Sequence, residues 1–231
     1  PTLWKKVGKA LAINAGDALY ALAFTQISKL EANYSAKVYT NVFRILASSV
    51  LNLTGGQHLD IASAGASELG LDGYWSMIRG KTSTLITEAL AIGALCGAAS
   101  DSTLKEIRKL GNYIGMGFQI YDDYLGIWGD ESSTGKSAST DLVEGKKSFP
   151  IITGLQMGGR FSTLFAGGKV ESDDVYAAKK ALEADGIMQL TLEQVNHFSR
   201  SASAAVDKLN IGDTHKAMFR ELIQILINRK G

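Results

Sequence analysis

The chain has 231 residues, of which 45% are hydrophobic, enough for a single domain with its own core. Its 24 basic and 23 acidic side chains leave a net charge of +1, which excludes the broad basic footprint of a nucleic-acid binder. Cys96, the single cysteine, excludes an internal disulfide and fits a reducing, cytoplasmic compartment.

Prolines occur only at 1 and 150, so a long stretch runs without the strongest helix breaker. From the start, Pro-Thr-Leu-Trp-Lys-Lys lacks the apolar stretch of a signal peptide. Residues 7–30 place Val7, Leu11, Asn14, Ala18, Leu22 and Thr25 on one stripe, a helical period with Asp17 inside it. Helical patterns follow over 35–53, 71–99 and 102–125, around 149–157, and over three C-terminal segments near 172–185, 191–209 and 213–229. Glycine-bearing stretches at 54–56, 129–135 and 158–168 read as connections, and Asp101 or Ser102 as an N-cap. No strand pattern appears, and no apolar run reaches the roughly 18 residues of a membrane span. The reading is all-α: a single domain over 1–231, built as a bundle of long, mostly antiparallel helices around a central cavity, with inward side chains forming the site.

The most informative stretch is Phe118-Gln119-Ile120-Tyr121-Asp122-Asp123. Adjacent side chains on a helix point about 100° apart, so Asp122 and Asp123 reach different partners. An isolated Asp-Asp pair is most often a solvated helix end. Here it ends an apolar helix, and its oxygens suit a hard divalent cation that keeps waters and phosphates as its other ligands. Lysines recur at 81, 136, 146 and 147, and Lys81 leads into an increasingly apolar helix, as a phosphate hook at a cavity mouth would. Gln57 and Asp60, at i and i+3, share a helix face; a buried hydrogen-bonding role serves them equally well. Phe24, Ile86, Leu90 and Phe118 are candidates for a cavity wall, although core packing accounts for most residues of this kind.

In order, Gly-Gln-x-x-Asp at 56–60, Lys-Thr at 81–82, Phe-Gln-x-x-Asp-Asp at 118–123, Gly-Asp at 129–130, Thr-Gly-Lys at 134–136 and Asp-Leu-x-x-Gly-Lys-Lys-Ser-Phe-Pro at 141–150 resemble the trans-isoprenyl diphosphate (polyprenyl) synthases. The resemblance implies an isoprenoid synthase-like fold. It also implies a transferase of isoprenoid biosynthesis that condenses an allylic diphosphate with isopentenyl diphosphate to a geranyl, farnesyl or geranylgeranyl type product. The steps are ionisation, attack by the second substrate's double bond, and proton loss. By the same resemblance Asp122 and Asp123 hold Mg²⁺, and Lys81, Lys136 and Lys146 bind diphosphate. Thr82 and Gln119 turn oxygens toward the allylic cation, Gln57 and Asp60 stand behind the metal-bound waters, and the enzyme is a homodimer. Two departures accompany it. The first aspartate-rich motif and its arginine pair are absent, since residues 1–60 offer only Asp17 and Asp60, so the domain is expected to be N-terminally incomplete and this chain alone inactive. The last position of Asp-Asp-x-x-Asp is Gly126, with Asp130 the next carboxylate. A class I terpene cyclase, or a non-catalytic partner subunit, are the alternative readings.

Overall fold

The computed structural model describes residues 2–63, 69–129, 140–166 and 170–227. Among these residues every regular element is helical. The first half of the chain gives α1 (Leu3–Val7), α2 (Lys9–Ser28), α3 (Ala36–Ser63), α4 (Leu71–Ile78), α5 (Thr84–Cys96) and α6 (Asp101–Trp128). The second half gives α7 (Thr140–Glu144), α8 (Phe149–Gln156), α9 (Arg160–Leu164), α10 (Val175–Ala184), α11 (Ile187–Lys208) and α12 (Asp213–Ile227). No helix among the described residues is long and apolar enough to cross a membrane.

Helix α6 is the centre of the fold. Its 28 residues extend for about 42 Å at the α-helical rise, packed against α11 on one side and α5 on the other. Ile107, Leu110, Ile114, Met116 and Ile120 supply its buried stripe and meet Tyr74, Met77 and Ile78 of α4 and Val195, Ala202 and Val206 of α11. A second apolar cluster, with Ile127, Leu142, Ile151, Phe161, Leu182 and Ile187, anchors the helices that follow α6. The N-cap of α6 is Ser100, whose hydroxyl accepts from the Thr103 N–H at 3.2 Å, so the helix starts just ahead of the expected caps.

Several expectations from the sequence are corrected, among them the 158–168 connection, which carries α9 (Arg160–Leu164). The Thr54-Gly55-Gly56 stretch does not end a helix, because α3 runs through it to Ser63. The glycine serves a close approach instead: a Cβ on Gly56 would press into the backbone nitrogen of Lys81 and come within 2.8 Å of the Met77 carbonyl oxygen. Nor is the 71–99 segment one uninterrupted helix. A π-helical turn, Arg79–Ser83, separates α4 from α5, and π-turns of this kind are frequent at functional sites. Lys81 and Thr82 sit in it.

Helix α2 does not keep the single apolar stripe expected over 7–30: at about 100° per residue Leu11 and Ile13 lie about 160° apart, and Val7 falls in α1, beyond Gly8. Ile27 is the buried residue of α2, while Leu11, Ile13, Leu19 and Leu22 are exposed. Phe24 meets Phe43 of α3, their ring centroids 5.2 Å apart. Ile86 and Leu90 pack partly buried against the main core, as their packing reading has it.

Candidate active site

The C-terminal end of α6 and the π-turn before α5 bring the sequence candidates together. Thr82 donates its hydroxyl hydrogen to Gln119 Oε1 at 2.6 Å. Gln119 Nε2 donates to Asp123 Oδ1 at 2.9 Å, the i to i+4 contact that one helix face permits. Asp123 is buried, with 2% exposure, and its Oδ2 accepts from the Tyr74 hydroxyl at 2.7 Å and from the Phe149 N–H at 2.8 Å. That N–H opens α8, and a helix N-terminus favours a negative charge. Burial pushes the Asp123 carboxyl up to about 6, against the downward pull of Lys146 and of the three donors. Burial, then the charge of Asp123, raises the Tyr74 phenol well above its ordinary value.

Asp122, one residue back, is half-buried and points elsewhere, as the helical offset requires. Lys146 Nζ lies 3.2 Å from Asp141 Oδ1 and 3.3 Å from Oδ2. Burial alone would depress Lys146, but Asp141, Asp123 and Asp122 outweigh it and hold the ammonium above the ordinary lysine value. Asp141, with 6% exposure, is itself raised by burial, an effect Lys146 partly offsets. One lysine thus faces three carboxylates. From the π-turn itself, Lys81 Nζ reaches Asp60 Oδ2 at 2.5 Å, which joins α3 to the site and gives Asp60 an ion-pairing place in it. Gln57 lies one turn earlier on α3, half-buried. Lys147 is buried at 8% exposure, unlike its neighbour. Lys136 and Asp130 lie outside the described residues.

Sequence reasoning missed two side chains. Asp141 stood in a quoted motif without a role, yet it is the partner of Lys146. Tyr74 carried no signal, being one aromatic in an apolar helix whose hydroxyl finds a carboxylate 49 positions away.

The donor set fits a hard cation in part. Carboxylate oxygens are the ligands Mg²⁺ takes, and the excess of carboxylates over lysine leaves negative charge to be met. The described residues contain no group of three or more His, Cys, Asp or Glu placed to hold a metal by themselves.

Comparisons with known proteins agree with the all-helical fold. The chain is 34% identical over 191 residues to the geranylgeranyl diphosphate synthase of Mycobacterium tuberculosis (strain ATCC 25618 / H37Rv), covering 83% of this chain and 52% of that protein. The chain therefore spans about half the length of such curated relatives. A polyprenyl synthetase from Streptomyces coelicolor A3(2) superposes with a TM-score of 0.86 at 30% identity, over 98% of this chain and 69% of that one. The geranylgeranyl pyrophosphate synthase of Corynebacterium glutamicum, solved with isoprenyl diphosphate and magnesium, gives a TM-score of 0.84 at 27% identity, over 97% and 65%. The family described as Polyprenyl synthetase matches residues 1–182, and the chain belongs to that family.

Proposed function

We propose that this chain forms the metal- and diphosphate-binding wall of a trans-prenyltransferase that joins an allylic diphosphate to isopentenyl diphosphate, giving a longer polyprenyl diphosphate. The observation that carries the reading is the juxtaposition of the Thr82–Gln119 oxygen pair with Lys81 in the same π-turn and Asp122 one turn along the same helix as Gln119. Cationic and anionic groups that can grip a metal–diphosphate thus adjoin uncharged oxygens suited to a carbocation.

In this reading Asp122 is the metal ligand on this wall, and the bound Mg²⁺ supplies a Lewis acid for the leaving diphosphate. Lys81 and Lys146 exchange Asp60 and Asp141 for phosphate oxygens, placing positive charge where negative charge grows as the carbon–oxygen bond breaks. Lys136 adds a third cation. Thr82 and Gln119 turn oxygen dipoles toward the allylic cation without a nucleophile strong enough to capture it. The exposed apolar side chains of α2 and α3, among them Leu19, Leu22, Leu51 and Ile61, fit burial against further protein, as in a homodimer.

The test is incubation of the complete protein with Mg²⁺, an allylic diphosphate and labelled isopentenyl diphosphate. Longer labelled diphosphates support the reading. Unlabelled hydrocarbons point to a cyclase, and no turnover leaves a partner subunit in its place.

A further inference from the structure

We infer that Asp123 is a positioning residue, which fixes the direction of a hydrogen-bond chain so that its half-buried outer end, at Gln119 and Thr82, shows oxygen lone pairs; this rests on the prenyltransferase reading above. The chain runs from the interior outward. Asp123 and Tyr74 are buried, whereas Gln119 and Thr82 are half-buried. An ionised carboxylate only accepts hydrogen bonds. Asp123 Oδ1 therefore takes the Gln119 Nε2–H at 2.9 Å, which puts the Gln119 carbonyl oxygen on the far side of the amide. That oxygen accepts the Thr82 hydroxyl hydrogen at 2.6 Å, and Thr82 has no other hydrogen to give.

The Thr82 hydroxyl hydrogen and one of the two Gln119 amide hydrogens thus point inward along the chain. At the outer end remain the lone pairs of Thr82 Oγ1 and the second lone pair of Gln119 Oε1. A reversed chain would turn an amide N–H outward, a positive dipole end where an allylic cation must form. The direction is set at Asp123, because a primary amide alone is as ready to donate as to accept.

The other oxygen of Asp123 is committed as well. Oδ2 accepts from both the Tyr74 hydroxyl and the Phe149 N–H, so three donors converge on one buried carboxylate. This arrangement suits a fixed orienting anion. It divides the aspartate pair: Asp122 toward metal, Asp123 toward Gln119.

The experiment compares Asp123→Asn and Asp122→Asn in the complete protein. With inorganic pyrophosphate and Mg²⁺ as the calorimetric probe, Asp122→Asn should lose affinity about tenfold or more, while Asp123→Asn should stay within about threefold of wild type. For Asp123→Asn, kcat should fall about ten- to a hundredfold with little change in KM for the allylic diphosphate. The Gln119 side-chain amide resonance, shifted downfield by its carboxylate acceptor in the wild-type protein, should move in Asp123→Asn while the rest of the spectrum stays dispersed. The inference is overturned by a loss of Mg²⁺–pyrophosphate binding equal to that of Asp122→Asn, or by an unmoved amide signal or an unchanged kcat. Failure of the prenyltransferase reading looks different: the wild-type protein condenses nothing, yet its Gln119 amide keeps the carboxylate-shifted signal.

Discussion

The carboxylate of Asp141 lies in the space that a side chain at position 126 would need: a Cβ built on Gly126 comes within 2.5 Å of Asp141 Oδ2 and 2.6 Å of its Cγ. Glycine at the last position of the Asp-Asp-x-x-Asp pattern is thus tied to where Asp141 sits. Asp141 is in turn the partner of Lys146.

Gly126→Asp, which restores the pattern's third carboxylate, should therefore weaken the protein. The new side chain collides with Asp141 and sets a like charge beside it. Overpacking of this kind costs about 1–3 kcal/mol, and the repulsion adds to it. Denaturant unfolding should show the loss, together with weaker pyrophosphate binding as Lys146 is displaced. A Gly126→Asp protein as stable as wild type would show that Asp141 moves aside freely.

Lys146→Ala should have a structural and a functional effect at once. It leaves the buried Asp141 without its cation, a loss of about 1–3 kcal/mol for an unpaired buried polar group, and it removes a diphosphate contact. Lys81→Ala should weaken pyrophosphate binding similarly but cost less stability, because Asp60 keeps 22% side-chain exposure and water can replace the lysine. Calorimetry and unfolding of the two variants check both halves of the comparison. Equal stability losses would contradict it.

Stability in Mg²⁺-free buffer should carry a signature of Asp123. Its carboxyl stands at about 6 in the folded chain, against the ordinary 3.8, so the folded state holds the proton more tightly than the unfolded state. The contribution is favourable below pH about 4 and is lost as pH rises to about 6, a change of about 3 kcal/mol. Asp141, also raised by burial, acts in the same direction. The stability difference between wild type and Asp123→Asn, followed across this window by denaturant unfolding, should therefore shift against wild type as pH rises. A shift in its favour would reverse the assignment.

Much of the architecture was legible because a helical period is a local property. The helix over 102–125, the three C-terminal helices and the all-α class follow from spacing alone. Thr54-Gly55-Gly56 was not legible, since nothing local distinguishes a glycine that breaks a helix from one that admits a neighbouring backbone, and Gly56 admits Lys81. The single stripe read over 7–30 failed for a related reason: apolar residues at a helical spacing do not exclude others, such as Ile13, on the opposite face. At the site, the i to i+4 offset between Gln119 and Asp123 was implicit in the sequence. Tyr74 was not, because its partnership with Asp123 depends on how α4 packs on α6.

The central claim is that the wall carrying Asp122 grips a metal–diphosphate whose departure begins the reaction. The most direct test is turnover of labelled isopentenyl diphosphate by Asp122→Ala in the complete protein. Helix α6 should be undisturbed, because Asp122 is half-buried and the hydrogen bonds on Asp123 come from Gln119, Tyr74 and Phe149, so the unfolding midpoint should stay near wild type while turnover falls at least about a hundredfold. Turnover at the wild-type rate, from a protein unfolding at the wild-type midpoint, would contradict the account.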